Sequence, residues 1–261
     1  MENKYNFTFT NEEAFGFSDK LTENKNYIMK EIPSKIAREV VKKFHYSGKV
    51  VNNSRLHLGV FEKDTHKLCG VLQYGYPMNP ERTPGKLVEG STKLEMYELN
   101  RMAMYDDAPK MSESQAIGLS FKWIKKFKPE IKWLLSFSDG KEGNVGTIYQ
   151  ATNWEYYGYR LSDSFYDLDG NIMHSVPVYN KFRQHDTTGR TQSQILYDTF
   201  DNVKKIVSRQ HIYIIRLDKK IKVNGEIKPY PKKETEPTIV KEIIYKENGV
   251  ILPQRKIVEY V

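Results

Sequence analysis

An alternation of strand-like and helix-like segments follows a Pro- and Gly-rich loop at residues 77–93. Residues 97–104 and 133–137 are apolar enough to form strands, and a long segment with apolar residues at helical spacing lies between them. A short helix over residues 147–152 and a strand over residues 154–160 come next. Strands that alternate with helices are typical of crossover connections, so the sequence predicts an α/β (α+β) fold with a mixed sheet.

The chain before this loop predicts a helix and a hairpin. Ser34 is expected to N-cap an amphipathic helix that ends at residues 45–48. Two apolar strands, residues 56–61 and 68–74, flank a polar turn and indicate an antiparallel hairpin. Residues 1–26 contain scattered phenylalanines without a clear period, and we expect an irregular N-terminal arm there.

The composition is that of a globular protein with a sizeable core. The chain has 261 residues, of which 39% are hydrophobic and 28% are charged. No apolar run approaches the roughly 20 residues that a membrane helix needs, and no leader-like segment opens the sequence, so we expect a cytoplasmic protein without membrane contact. The single cysteine, Cys69, lies in an apolar stretch and is expected to be a buried thiol rather than a nucleophile.

Positive charge is concentrated in the last third of the chain. Residues 181–261 carry a net charge of +7, whereas residues 1–180 carry +1. A nearly neutral core followed by a basic extension favours a nucleic-acid partner, because phosphate contacts supply most of the sequence-independent affinity. A solvated basic surface without a partner explains the charge equally well.

The order of elements resembles the GNAT acyltransferase fold, a mixed sheet that is splayed open to admit acyl-CoA. Residues 146–159 are similar to the turn in which a GNAT tyrosine approaches the CoA sulfur, and Tyr149 takes that place. A tyrosine there can protonate a leaving thiolate. Residues 110–118 occupy the position of the pyrophosphate loop, where Ser112 is expected to N-cap a helix. The resemblance implies that an acyl donor such as acetyl-CoA is held by Ser112, Ser114 and Gln115, the last completing a capping box.

The span from Ile32 to Tyr159 resembles more specifically the Mom DNA-modification proteins of bacteriophages, a divergent GNAT group. The resemblance rests on seven short stretches in the same order, at residues 43–49, 56–60, 87–90, 98–103, 112–114, 136–140 and 146–149. It implies an enzyme that places a carbamoylmethyl group on the exocyclic N6 of adenine in double-stranded DNA and so blocks host restriction. The adenine must be flipped out, and a small molecule must donate the group.

The same resemblance implies a set of active-site residues: His45, Tyr46, Arg101, Ser114, Asp139 and Tyr149. Arg101 lies among apolar neighbours, where an unpaired guanidinium is costly, so it must meet a carboxylate or an anionic ligand. Glu98 is expected on the opposite face of the sheet, which makes Asp139 the expected partner. His45 and Asp139 can also hold a divalent metal such as iron.

Three regions are therefore expected: an arm at residues 1–26, a GNAT-like catalytic domain at 27–180 and a DNA-contacting extension at 181–261. The expected phosphate contacts of the extension are Lys204, Lys205, Arg209, Arg216, Lys219 and Lys220. Two other functions are consistent with the same residues. One is an ordinary N-acetyltransferase acting on a small amine or a protein, and the other is a DNA-binding protein without catalytic activity.

Overall fold

The computed structural model describes residues 5–140, 143–184, 186–232 and 239–260. They form two compact units between which the chain passes several times. Unit 1 comprises Met1–Ser136, Thr147–Tyr157 and Tyr213–Lys228, and unit 2 comprises Phe137–Gly146, Gly158–Ile212 and Pro229–Val261. Tyr213–Lys228, part of the expected extension, belongs to unit 1, and the expected bounds of the catalytic domain and the extension stay a prediction.

The sheet of unit 1 is built in chain order. Its strands are β1 (Leu21–Glu23), β2 (Tyr27–Glu31), β3 (Ser54–Glu62), β4 (Leu68–Gly75), β5 (Met96–Met104) and the first part of β6 (Trp133–Asp139). The helical segments are α1 (Asn11–Phe15), α2 (Ser34–Phe44), α3 (Thr83–Leu87), a 3₁₀ turn (Lys93–Glu95), α4 (Ser112–Phe127) and α5 (Thr147–Ala151). A mixed sheet flanked by helices confirms the predicted fold class.

Helices α2 and α4 cover separate cores because residues of a strand point alternately to the two faces. The apolar stripe of α2, including Val40 and Val41, packs in one buried cluster with Phe61 and Val71. The larger cluster contains Trp123 and other residues of α4, together with β3 and β4 side chains. Each aliphatic side chain buried in this way contributes about 1.5–3 kcal/mol relative to an exposed one. The thiol of Cys69 lies in the α4 cluster and donates to the Val60 carbonyl at 3.2 Å, as expected for a core thiol.

Strands β5 and β6 are parallel neighbours, joined by α4 as the crossover. Their register pairs Met96–Glu98 with Trp133–Leu135. Strand β5 continues to Met104, and its later residues pair on the other side with β4, Arg101 facing Gln73. The parallel pairing in the described residues is thus confined to the start of both strands.

The N-terminal arm is more ordered than the sequence predicts. Besides α1 and β1, an aromatic cluster ties the arm to the end of α2: the Tyr5 ring lies 4.9 Å from Phe44 and 5.1 Å from Tyr105. The Lys43 ammonium donates to the carbonyls of Tyr5 and Asn6 at 2.6 and 2.8 Å. Isolated aromatic residues without a period are therefore packing contacts of a peripheral segment.

Unit 2 contains the rest of the chain. Its elements are β7 (Glu155–Leu168) from Gly158 onward, β8 (Asn171–His174), α6 (Ser175–Phe182), α7 (Gln192–Thr199), β9 (Val203–Arg216) up to Ile212, β10 (Ile239–Glu247) and β11 (Val250–Glu259). Strand β10 pairs antiparallel with both β9 and β11. A core that includes Leu168, Val178, Leu196 and Val203 packs α6 and α7 on these strands. No helix of the described residues is long and apolar enough to span a bilayer.

Candidate active site

A bulge in β5 determines which side chains accompany Arg101. The pairing with β4 steps from Gln73–Arg101 to Tyr74–Leu99, so Asn100 is the extra residue. One additional residue shifts the alternation of side chains, which brings Glu98 to the same face as Arg101. The expectation that Glu98 points to the opposite face is wrong, because it assumed an unbroken alternation.

The Arg101 guanidinium is half-buried and held by backbone carbonyls. Its Nε donates to Lys49 O at 3.0 Å and its Nη1 to Asn100 O at 2.6 Å. Burial lowers the pKa of Arg101, while Tyr46, Glu98 and Tyr149 act in the opposite direction. The arginine is thus fixed on one edge and lies within electrostatic reach of three acidic or phenolic groups.

Tyr149 lies on the short helix α5, and its half-buried ring packs against two other aromatic rings. The ring centroid is 5.4 Å from Trp154 and 5.2 Å from Tyr213. Burial raises the pKa of Tyr149 to about 12, an effect that the Ser136 hydroxyl beside it and Arg101 partly offset. Tyr149 therefore carries its proton at neutral pH and can donate it or hydrogen-bond with it.

His45 and Tyr46 follow the last residue of α2. His45 is the C-cap residue, and its Nδ1 lies 2.9 Å from the Ser47 hydroxyl and accepts from Ser47 N at 3.2 Å. Burial first, and then the charge of Arg101, lowers the pKa of His45 to about 4. A neutral imidazole that accepts at Nδ1 carries its hydrogen on Nε2, so His45 is a donor at neutral pH. Tyr46 packs against the imidazole at 4.3 Å and is 86% exposed.

Four of the predicted catalytic residues of unit 1 interact with one another, His45 with Tyr46 by ring contact and Arg101 electrostatically with His45, Tyr46 and Tyr149. The arrangement joins a phenol and a neutral imidazole, both proton carriers, to a cation that can polarise a carbonyl or hold an anion. Sequence reasoning missed two members of the group, Glu98 and Ser136. Glu98 interacts electrostatically with Arg101 and Tyr149, and the Ser136 hydroxyl lies beside Tyr149, and both placements depend on strand register rather than on local sequence.

Asp139 belongs to unit 2, at the end of β6. Its Oδ1 lies 3.5 Å from the buried Ser208 hydroxyl. Its expected pairing with Arg101 stays a prediction. In the part of the chain that the structure describes, no group of three or more His, Cys, Asp and Glu side chains is arranged to hold a metal ion. The metal expected on His45 and Asp139 stays a prediction.

The expected donor-binding side chains at the start of α4 are occupied within the chain. The N-cap residue is Met111, with a left-handed φ of 67° and no side-chain cap, so the predicted capping box of Ser112 and Gln115 is wrong. Ser114 donates to Met111 O at 3.0 Å, and Gln115 Oε1 accepts from Asn26 Nδ2 at 2.8 Å.

The predicted N-cap of α2 is also wrong. Helix α2 starts at Ser34 itself, and its N-cap residue is Pro33.

Ser112 is buried, and its hydroxyl faces the Glu113 carboxylate at 3.4 Å. A carboxylate in the first turn competes with a phosphate for the positive end of the helix. The side chains present at this turn do not fit a pyrophosphate.

Most of the six expected DNA contacts have partners within the chain. Arg216 forms a bidentate ion pair with Glu155, with its Nη2 at 2.6 Å from Oε1 and its Nε at 2.9 Å from Oε2. Lys205 pairs with Asp163 at 3.0 Å. Lys204 lies between the carboxylates of Asp167 and Glu242. The Arg209 guanidinium lies over the Tyr159 ring. Lys219 and Lys220 are exposed.

Comparison with known proteins identifies the family of the chain. The model of the Mom protein family matches residues 26–232. A relative, "Methylcarbamoylase mom" of Escherichia phage Mu, is 36% identical over 204 residues, which cover 76% of this chain and 80% of that protein.

Several solved structures show weaker similarity. An acetyltransferase of the GNAT family from Bacillus anthracis has a TM-score of 0.41 at 10% identity, covering 76% of this chain and 98% of that one. Ribosomal-protein-S5-alanine acetyltransferase from Vibrio fischeri has a TM-score of 0.39 at 11% identity, covering 81% and 100%. The family match spans most of the chain and includes His45, Tyr46, Arg101 and Tyr149. This chain therefore belongs to the Mom protein family.

Proposed function

We propose that this protein is a transferase that adds a carbamoylmethyl group to N6 of adenine in double-stranded DNA, in the cytoplasm of a host cell. Membership of the Mom family and 36% identity to a methylcarbamoylase support a group transfer of this type. Protection of the DNA from restriction enzymes follows, because their recognition of adenine uses the N6 amino group in the major groove.

The observation that carries the proposal is the electrostatic coupling of Arg101 to His45, Tyr46 and Tyr149 within unit 1. These residues come from the end of α2, the bulged part of β5 and helix α5. Holding a half-buried cation beside two neutral hydrogen-bond donors costs stability. Such an arrangement is typical of a site that binds and polarises a reactive group.

Each residue then has a role that its surroundings suit. Arg101 binds the carbonyl or an anionic part of the donor, because its fixed fork donates several hydrogen bonds. Burial raises the pKa of Tyr149 to about 12, so its phenol is protonated at neutral pH and supplies that proton to the leaving group. His45 donates from Nε2 and orients the substrate. Replacement of one hydrogen on N6 also releases a proton from the adenine, and Glu98 beside Arg101 is a carboxylate that can accept it.

The adenine must leave the duplex to reach such a site. An amino group inside the double helix is inaccessible to a protein cleft, so the base has to be flipped out. Tyr46 is exposed and adjacent to His45, and it is suited to stack on a flipped base.

The donor is a small molecule whose carbamoylmethyl group is joined through a saturated carbon. Simple acyl transfer from acetyl-CoA does not by itself form such a bond to nitrogen. The side chains at the start of α4 do not fit a pyrophosphate, so the roles of Arg101, Tyr149 and His45 concern the transferred group of the donor and not a CoA moiety.

Mass analysis of nucleosides tests the proposal. DNA from cells that express the protein should contain N6-(carbamoylmethyl)adenine and resist restriction enzymes with adenine in their sites. Tyr149→Phe should reduce the modified fraction at least about tenfold, the effect of losing a positioned proton donor. Tyr105→Phe is the matched control, because Tyr105 is a buried tyrosine of the α2 core. Unmodified adenosine with soluble wild-type protein would refute the proposal, and N-acetylated adenine would indicate an ordinary acetyltransferase.

A further inference from the structure

Strand β11 of unit 2 is an edge strand with one open side. It is the last strand in the order of the sheet, and among the described residues it pairs with β10 alone. The hairpin of β10 and β11 also lies beyond residues 26–232, which the Mom family model matches. The unpaired backbone groups of such an edge are a template for another strand, so the residues along β11 determine what can pair with it.

The pairing with β10 shows which residues of β11 direct their backbone groups to the open side. Tyr260 N donates to the Val240 carbonyl at 2.9 Å, and the preceding residues of β11 keep this register. In an antiparallel ladder, opposed residues that bond to each other alternate with opposed residues whose N–H and C=O groups face away. Glu259 and Ile257 therefore present N–H and C=O at the open edge, and Arg255, the next alternate residue of the extended strand, does the same.

The side chains of these three residues share one face of β11 because they alternate along it. All three are exposed, and Ile257 is 56% exposed although it is apolar. The Arg255 guanidinium lies 5.2 Å from the centroid of the Tyr245 ring. Within the part of the chain that the structure describes, the Glu259 carboxylate forms no ion pair. The open edge thus displays an apolar side chain between one cation and one anion.

We propose that this edge of β11 pairs with the same edge of a second copy of the chain, antiparallel and centred on Ile257. In a two-fold pairing of identical antiparallel strands, residues at equal distances on either side of the centre lie opposite each other. Ile257 then packs against Ile257 of the second copy, and Arg255 of each copy faces Glu259 of the other. Because the backbone groups of all three residues point to the open side, each opposed pair exchanges hydrogen bonds.

The positions of the charges select a second copy of the chain as the occupant. Arg255 and Glu259 carry opposite charges at equal distances from Ile257, which makes the edge complementary to itself in this register. An in-register parallel pairing would instead place like charges beside each other, which is unfavourable. Charged edge strands usually resist association, but here the antiparallel register converts both charges into cross-strand ion pairs. The pairing concerns assembly and is independent of the proposed function.

Sedimentation velocity of purified, nucleic-acid-free full-length protein tests the pairing. One strand from each copy makes a small interface, so wild-type protein should pass from monomer to dimer between roughly 1 and 200 µM rather than form a permanent dimer. Arg255→Glu replaces two ion pairs by two like-charge pairs and should weaken the dimer about tenfold. Glu259→Arg should have the same effect. Combining both substitutions exchanges the charges and should restore the dissociation constant to within about threefold of wild type.

Lys181→Glu is the matched control, because Lys181 is an exposed residue of α6 and the substitution changes the charge by the same amount. It should leave the dissociation constant unchanged. Ile257→Pro tests the backbone pairing, since the N–H of Ile257 is not bonded to β10. Proline there should keep the hairpin, remove the central hydrogen bonds and leave the protein monomeric. Circular dichroism of each variant verifies that it is folded.

The outcomes discriminate between this pairing and a structural effect of the substitutions. Recovery in the double variant supports the pairing, because a hairpin that was merely destabilised would not recover. Losses in both single variants without recovery refute the register centred on Ile257. Wild-type protein that stays monomeric, or a dimer that neither charge reversal weakens, refutes the pairing altogether. None of these results depends on DNA modification, so the proposed function is tested separately by nucleoside analysis.

Discussion

The low pKa of His45 makes the stability of the fold depend on pH in a defined window. Burial and the nearby Arg101 lower this pKa from 6.5 to about 4. An unfolded chain therefore binds a proton on His45 near pH 6.5, whereas the folded chain does not bind it until near pH 4. The unfolded state binds more protons than the folded state between these two pH values. The contribution of neutral His45 to the free energy of unfolding is therefore fully present above pH 6.5 and is progressively lost as the pH falls towards 4.

The size of the effect follows from the shift. One pKa unit corresponds to about 1.4 kcal/mol, so a shift of this size amounts to roughly 3 kcal/mol at its limit. Between pH 7 and pH 4.5 most of that difference is lost, and solvent screening of a ring that is not fully buried reduces it to about 2 kcal/mol. His45→Asn removes the titrating group while its side-chain oxygen can still accept from Ser47 N.

Urea unfolding at pH 7.0, 5.5 and 4.5, for wild type and His45→Asn, measures this quantity. Other groups titrate in both proteins, including His57, whose pKa burial also lowers, so the difference between the two proteins isolates His45. Wild type should lose about 2 kcal/mol more than the variant on going from pH 7.0 to 4.5. Parallel losses in the two proteins would show that the imidazole is not held neutral beside Arg101 and would refute the described geometry.

Four further outcomes are expected. Arg101→Ala should abolish adenine modification, measured by nucleoside mass analysis, and Arg101→Lys should not restore it, because a point charge does not replace a fork. Replacing both Lys219 and Lys220 by alanine should reduce the slope of log affinity against log salt by about 1.8 while leaving the sequence preference of modification unchanged. Gly75→Ala should lower the free energy of unfolding by more than about 2 kcal/mol in urea unfolding, because the added Cβ would overlap the backbone oxygen of Asn53. Phe15→Ala should lower the melting temperature by several degrees, because the Phe15 ring lies 4.1 Å from the ammonium of buried Lys30 and 4.2 Å from the His66 ring.

Hydrophobic period and element order were enough to predict the helices and strands that position the site. The apolar stripe of α2 and the alternation after residue 93 lead directly to the observed elements, and the local motif places Tyr149 on a short helix. These features are local, so they can be read from neighbouring residues.

Features that depend on register or tertiary contact could not be predicted. The bulge at Asn100 is fixed by pairing with β4, and no local pattern marks it, so Glu98 was assigned to the wrong face. The start of α4 cannot be predicted locally, because its N-cap residue Met111 adopts the left-handed conformation, which methionine does not favour. The course of the chain between two units is likewise a long-range property.

The ion pairs of the basic region alter the interpretation of its net charge. Lys204 and Lys205 of β9 face Asp167, Glu242 and Asp163, so part of the positive charge in unit 2 is already neutralised. A phosphate that contacts these lysines must displace a carboxylate, and the exchange of one anion for another yields less affinity than the neutralisation of a solvated cation. We therefore expect the loss of salt dependence per lysine removed to be smaller at positions 204 and 205 than at exposed positions. If the double variant at 204 and 205 flattens the salt dependence by the full value of about 0.9 per residue, the DNA displaces these carboxylates on binding, and the ion pairs belong only to the DNA-free protein.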